Sequence, residues 1–156
     1  MNTYRNPRLP YQLLGMLLLS ALISTTSFAA DETAHTPPPG SITRKAICDV
    51  MRGLYADNKY GDEPLKAGTV RVLFEIDHLK VKNGWAAFSG TPIQVLKNGQ
   101  QVPIDAVHTA VLKLVNNRWQ IVINHGLHGD VPEMKDLIPK GQKQFPREIL
   151  PDWHSH

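Results

Sequence analysis

The sequence predicts an α+β fold: one N-terminal helix packed on a curved antiparallel sheet of four to six strands, with a C-terminal tail wrapped around the body. Three observations carry that expectation. Ile47, Val50, Met51 and Leu54 recur at helical spacing and form one apolar stripe. Asn83-Gly84 sits between two alternating runs in residues 69–90, and Asn-Gly is the strongest short-range hairpin signal because a type I′ turn needs positive φ at both central positions. Asn116-Asn117 sits in the same way between a later pair of alternating runs.

Residues 1–29 stand apart from that domain. Arg5 and Arg8 supply a positive start, residues 13–23 are an apolar run, and Ser27 and Ala29 fit the −3 and −1 positions of a cleavage site. The run is about 11 residues, against the roughly 20 that a bilayer-spanning helix needs. The segment therefore reads as a secretory signal peptide, and the mature chain is expected to be periplasmic or secreted, with no stable membrane insertion after cleavage. No cysteine follows the run closely enough to suggest a lipoprotein.

Removing Arg5 and Arg8 takes the basic residues from 17 to 15 against 14 acids, so the excess falls from +3 to about +1. No basic stripe remains, which disfavours nucleic acid as a partner. Cys48 is the one cysteine, so an internal disulfide is impossible and the fold must rest on packing. Its neighbours Ala46, Ile47 and Val50 mark it as a small core residue rather than a reactive thiol.

Residues 30–41 end in Pro37-Pro38-Pro39-Gly40 and read as a flexible linker. Residues 42–130 form the domain. The helix is expected over 42–56, capped by Ser41 or Thr43 and weakened at its end by Gly53. Val70, Val72, Phe74 and Ile76 alternate, and then the apolar parity shifts to Leu79 and Val81. Such a phase change is what a β-bulge at Asp77-His78 would produce. Centring the turn on Asn83-Gly84 sets Lys82 opposite Trp85, Val81 opposite Ala86 and Leu79 opposite Phe88. Phe74, Ile76, Leu79, Val81 and Phe88 should then face the helix, while Lys80, Lys82, Trp85 and Ala87 share the other face. The return strand is expected to run from Trp85 to about Ser89, with pairing loosened at Pro92. Asn98-Gly99 suggests a short ribbon with Val95 facing Val102 and Ile93 facing Ile104. The Asn116-Asn117 hairpin should align Leu114 with Trp119, Leu112 with Ile121 and Ala110 with Ile123. In the tail, residues 131–156, Asp130 is expected to cap a short helix opened by Pro132-Glu133. Phe145, Ile149, Leu150 and Trp153 are apolar enough to dock on the domain. The whole arrangement resembles the roll of cystatin-like and NTF2-like domains; a small β-barrel is the alternative.

Arg44-x-x-Ile47-x-Asp49, Phe74-x-Ile76 followed by Leu79-x-Val81, Gly84-Trp85-Ala86, Arg118-Trp119-x-Ile121-Val122 and Gly129-Asp130-Val131 resemble a group of small exported proteins of Gram-negative bacteria. The likeness spans roughly residues 44–150. That group carries no assigned activity, so the resemblance implies a periplasmic α+β domain and transfers no catalytic residue. Its tail usually holds a Tyr-Gly-x-Pro element, where this chain has Gln144-Phe145-Pro146.

The candidate chemistry is sparse. His125-Gly-Leu-His128-Gly-Asp130 is the one cluster of potential ligands, just past the last strand, and two histidines with a carboxylate can bind a metal or poise a proton. Asp77-His78 lies at the expected bulge, a place where side chains are re-aimed beside sites. His108 and Asp105 would share a cavity with His78 if the start of the third hairpin folds that way. His154 and His156 belong to a chain end. Trp85, if not covered by helix or tail, would offer an exposed aromatic for a partner. Gly-rich phosphate loops, His-Glu-x-x-His, Gly-x-Ser-x-Gly and paired-cysteine spacings are all missing. These features point to a non-catalytic binding or accessory domain with no cofactor: an envelope partner protein, inhibitor or immunity-type protein, binding through Trp85, His125, His128 and Asp130. The alternative is a small pocket protein or enzyme built on the His/His/Asp cluster, with or without a metal.

Overall fold

The computed structural model describes residues 33–55, 59–60, 63–130 and 132–153; segment 1–29, where the signal peptide is expected, the start of the expected linker, Val131, His154 and His156 lie outside them. Helix α1 (Ile42–Gly53) is followed by a short pair, β1 (Lys59–Tyr60) and β2 (Glu63–Pro64). Then come β3 (Thr69–Lys82), β4 (Trp85–Leu96), β5 (Gln101–Pro103), β6 (Val107–Val115) and β7 (Arg118–His128), and the 3-10 turns Met134–Leu137 and Arg147–Ile149. β3, β4, β6 and β7 lie side by side in that order, antiparallel, with β5 added on β4 as a fifth strand. The fold is α+β with an open sheet, so the barrel alternative does not hold.

Ser41 is the cap of α1: its hydroxyl accepts from the Arg44 N–H at 3.2 Å. The helix ends at Gly53, three residues short of the expected 56, and the Leu54 and Tyr55 amides close the last turn onto Met51 and Arg52 carbonyls. Its buried residues are Ile47, Cys48 and Met51. Burial raises the Cys48 thiol pKa, as a core cysteine requires.

Asn83 and Gly84 take φ of 50° and 73°, and the register Lys82–Trp85, Val81–Ala86, Leu79–Phe88 follows. Ile76 pairs with Gly90 and His78 with Ser89, leaving Asp77 as the extra residue of a bulge. Phe74, Ile76, Leu79, Val81 and Phe88 all pack in the helix-side core. Gly90 is needed opposite the bulge, because a Cβ there would stand 2.5 Å from the Glu75 carbonyl oxygen. A second irregularity falls at Val70, since Thr69 pairs with Leu96 and Arg71 with Val95. Val70 is thrown into solvent, 55% exposed, so the alternation of β3 begins only at Val72.

Two expectations about the middle of the chain are corrected. β4 runs on through Pro92 to Leu96. The Pro92 carbonyl accepts from the Ile104 N–H at 2.8 Å, so its ring nitrogen faces the same side, into the gap between β6 and β5, and no bond to β3 is lost. At Asn98-Gly99 only the glycine has positive φ, which makes a three-residue loop rather than a type I′ turn. The ribbon is shifted by one residue: Val95 faces Gln101 and Ile93 faces Pro103.

Asn116 and Asn117 do form a turn with φ of 50° and 60°, and Leu114–Trp119 and Leu112–Ile121 pair as expected. Ala110 does not meet Ile123. Val122 is bulged out, 45% exposed, so Ile123 moves to the face of Val111 and Asn124 pairs with Ala110. A further bulge at His125 sets Thr109 opposite Gly126.

Each sheet face has its own core. Ile47, Met51, Leu79, Phe88, Leu112 and Trp119 fill the helix side. Trp85, Ala87, Val111, Leu137, Phe145 and Ile149 fill the tail side. The reading of Trp85 as an exposed aromatic is thereby overturned: it is 5% exposed, with Phe145 edge-on at 5.2 Å and Lys113 Nζ 4.7 Å from its ring. Lys82 pairs with Glu148 at 2.6 Å, and the His78 Nε2–H donates to the Ile149 carbonyl at 2.7 Å, so the tail is also pinned by polar contacts. The described part of the linker is docked rather than loose. Its extended backbone leaves His35 able to exchange both bonds with Val81 at the edge of β3, and Pro37 is buried.

Candidate functional site

Alternation along β6 sends His108 to the helix face and Thr109 to the tail face. His108 is fully buried opposite Gly90. Its Nε2 lies 2.8 Å from Asn124 Oδ1 and its Nδ1 2.7 Å from the Tyr55 hydroxyl. The amide oxygen only accepts, so Nε2 carries the proton and Nδ1 accepts from Tyr55. Burial holds this imidazole below the ordinary histidine pKa. Asn124 reaches it because the Val122 bulge turned it to that face. His78 lies opposite Ser89, on the tail face, so His78 and His108 do not share a cavity; Asp105 is exposed in the β5–β6 connection.

The tail face ends in a cavity of about 280 Å³. Asp77 comes to it from the β3 bulge, Ser89 from β4, Val107 from β6, His128 from the end of β7, and Asp130 and Trp153 from the tail. His128 Nε2 is 3.0 Å from Thr109 Oγ1, and the Thr109 hydroxyl donates to Ser89 Oγ at 3.3 Å. Nε2 and the Thr109 hydroxyl share one hydrogen bond, in which either group can be the donor. The His128 Nδ1 is buried with no well-aligned hydrogen-bond partner among the described residues, and the Asp130 backbone lies against the ring. Burial lowers the His128 pKa, and the neighbouring Asp130 backbone and carboxylate offset this only in part, so the ring is neutral at pH 7.

Of the residues singled out in the sequence, the structure brings His128 and Asp130 together and adds Asp77. His125 stands outside the cavity lining: it is exposed and meets His128 ring to ring at 5.0 Å. Trp85 lies four positions along β4 from Ser89, about 13 Å away at strand rise. Asp130 is not a helix cap, because the 3-10 turn starts at Met134 with Glu133 before it and no side-chain cap bond. Among the described residues no three histidine, cysteine, aspartate or glutamate side chains are grouped to hold a metal ion, so the metal arrangement of His125, His128 and Asp130 does not form. No described helix is long and apolar enough to cross a membrane. Ser89 and Trp153 escaped the sequence reading as site residues. The parity of Trp85, Ala87 and Ser89 was the available signal for the first; nothing local marks the second.

Comparison of the chain with protein-family models, curated proteins and solved structures finds no match to any of them.

Proposed function

We propose that this chain is an exported, non-catalytic binding domain of the bacterial envelope and that the cavity beside Trp153 is its recognition site. The observation that carries the reading is that Asp77 and Asp130, from separate elements, line one concave site where neither carboxylate has an ion-pair partner among the described residues. Exposed carboxylates at the mouth of a concave site with apolar walls are groups that a ligand can engage. The export half of the proposal rests on Arg5, Arg8, the apolar run and Ser27-x-Ala29. With Trp85 covered, a flat aromatic surface no longer supports partner recognition, and the cavity takes its place.

The test is a thermal-shift screen of small ligands on the mature protein and on Trp153→Ala, with mass spectrometry of each hit. Saturable stabilisation of the wild type, lost in the variant, with the ligand recovered unchanged, is the expected result. Absence of any saturable ligand would count against the reading. A second reading is favoured by one observation, the His128 imidazole held below the ordinary histidine pKa at the cavity beside Asp130: a small pocket enzyme in which that ring takes a proton. Chemical change in a recovered ligand, abolished by His128→Gln, would select it.

A further inference from the structure

β3 is an edge strand, and the middle of its outer side carries no strand among the described residues. Pro92 turns its ring nitrogen away from β3, so Phe74, opposite it, also aims its N–H and C=O away from β4. These groups alternate along a strand, so Val72 and Ile76 aim outward too. Among the described residues that outer side is met at two places: the Arg52 Nε–H donates to the Val72 carbonyl at 3.1 Å, and His35 exchanges both bonds with Val81. The irregularities at Val70 and Asp77 bound a regular stretch, 71–76, in which Leu73, Phe74 and Ile76 are only half-buried. Arg71 and Glu75 flank Leu73 at equal spacing on the tail face. Both are exposed, about 13 Å apart at strand rise and so out of reach of each other. Neither has an ion-pair partner among the described residues.

We propose that residues 71–76 of β3 pair with the same stretch of a second copy of this chain, antiparallel, about a two-fold axis at Leu73. That register sets Val72 opposite Phe74 of the second copy. Both aim their backbone groups outward, so each such pair exchanges N–H···O=C bonds in both directions. The Val72 carbonyl takes its new bond with the lone pair that Arg52 leaves. The same register sets Arg71 opposite Glu75 of the second copy, and Glu75 opposite Arg71 of the second copy. The next register toward the Asn83-Gly84 turn would leave Glu75 opposite Leu73, and the one after would set Glu75 opposite Glu75, so charge selects this one. A positive, apolar, negative order is its own complement when reversed, which is why the occupant is a second copy rather than a foreign strand. The pairing covers the same edge in both copies and closes at a dimer. It is independent of the cavity.

Sedimentation velocity of the mature protein in low salt, from micromolar to millimolar concentration, tests the pairing. Expected is a reversible monomer–dimer equilibrium that weakens as salt is raised, because the charge pairs are exposed. Arg71→Glu and Glu75→Arg each set like charges opposite one another at both ends of the stretch, and each should weaken the dimer about tenfold or more. An equimolar mixture of the two variants faces opposite charges again and should associate, as should the double variant in which the charges are exchanged. A structural role for either side chain within one chain would not restore association in the mixture. Both residues are exposed, so the melting temperature of each variant should stay at the wild-type value. Amide hydrogen exchange needs no variant: protection at Val72 and Phe74 of the wild type should rise with protein concentration. A chain that stays monomeric to millimolar concentration, a dimer indifferent to both charge reversals, or a mixture of folded variants that stays monomeric would overturn the proposal. A dimer in which the Val72 and Phe74 amides gain no protection would place the interface elsewhere and overturn it as well.

Discussion

The helix face and the tail face of the sheet are built from the same strands, and each carries a buried apolar cluster. They differ at the end near the β3 bulge. On the helix face, Tyr55, His108 and Asn124 bond to one another. On the tail face, at the same level, Ser89, Thr109 and His128 form a chain that ends beside the Asp130 backbone, and Asp77 and Asp130 line the same cavity. The cause is the cover. α1 is continuous, and the turn that ends it brings Tyr55 onto His108. The tail is interrupted by Pro139, Pro146 and Pro151 and fills the opposite face with separate anchors, Leu137, Phe145, Ile149 and Leu150. It leaves the Ser89 end open, with Trp153 beside the gap. A fold that closes one polar cluster and leaves its neighbour on the other face open at a cavity departs from internal consistency at one place, and such places are where binding is to be sought. The helix face has one exception of its own, the buried indole N–H of Trp119, which has no partner.

The largest expected effect tests which face holds the fold. Phe88→Ala deletes a fully buried ring in the helix-side core and should cost about 3–5 kcal/mol in urea unfolding. Trp153→Ala removes a half-buried wall of the cavity and should cost well under half of that. Equal losses would mean that Trp153 closes a core rather than a binding site. Phe74 packs edge-on against Phe88 at 5.1 Å but is only half-buried, so Phe74→Ala should fall between the two.

The helix face was legible in the sequence and the tail face only in outline, for physical reasons. Ile47, Met51, Leu79, Val81 and Phe88 announce themselves because periodicity and the Asn83-Gly84 turn fix both spacing and register locally. The bulge at Asp77 was visible because it shifted the parity of a long apolar run. The bulges at Val122 and His125 were not, because Ile121, Val122 and Ile123 are all apolar and leave no phase to read. Those two bulges decide that Asn124 joins His108 and that His128 reaches the cavity. Asp130 illustrates the same limit: its spacing to Pro132 and Glu133 is that of a cap, but the turn forms later in the chain and leaves the carboxylate to the cavity. Trp153 depends on how the whole tail packs, which no local pattern encodes.

An intermediate effect is expected from pH, and it separates the two faces again. His78, His108 and His128 all sit below the ordinary value of 6.5, in each case chiefly through burial. A histidine whose folded pKa is depressed binds its proton more readily in the unfolded chain, so its neutral, buried form is fully accommodated above pH 6.5 and stability falls as the pH drops below that value. Melting temperature should therefore rise between pH 5 and 7 and level off above. His108→Gln, on the closed helix face, should flatten that rise more than His128→Gln at the cavity, because His108 is the more completely buried. A profile that is flat or falls over this window would show that these rings are not held neutral by the fold.

The smallest expected effect is the most discriminating. Asp77 and Asp130 are exposed at the cavity, neither has an ion-pair partner, and Asp130 caps no helix. Replacing either carboxylate by the isosteric amide keeps its shape and removes a charge that no described cation balances. Asp77→Asn and Asp130→Asn should thus leave the unfolding free energy within about 0.5 kcal/mol of the wild type, the range of surface changes that touch no structural feature. Structural carboxylates behave otherwise: removing a paired or capping acid costs stability because a donor loses its acceptor. A loss above about 1 kcal/mol in Asp130→Asn, the scale of a lost cap or buried hydrogen bond, would return that residue to a structural role, most directly through the His128 ring beside it, and would make the two sheet faces alike. Unchanged stability would instead mark the tail face as the one that carries carboxylates the fold itself does not use.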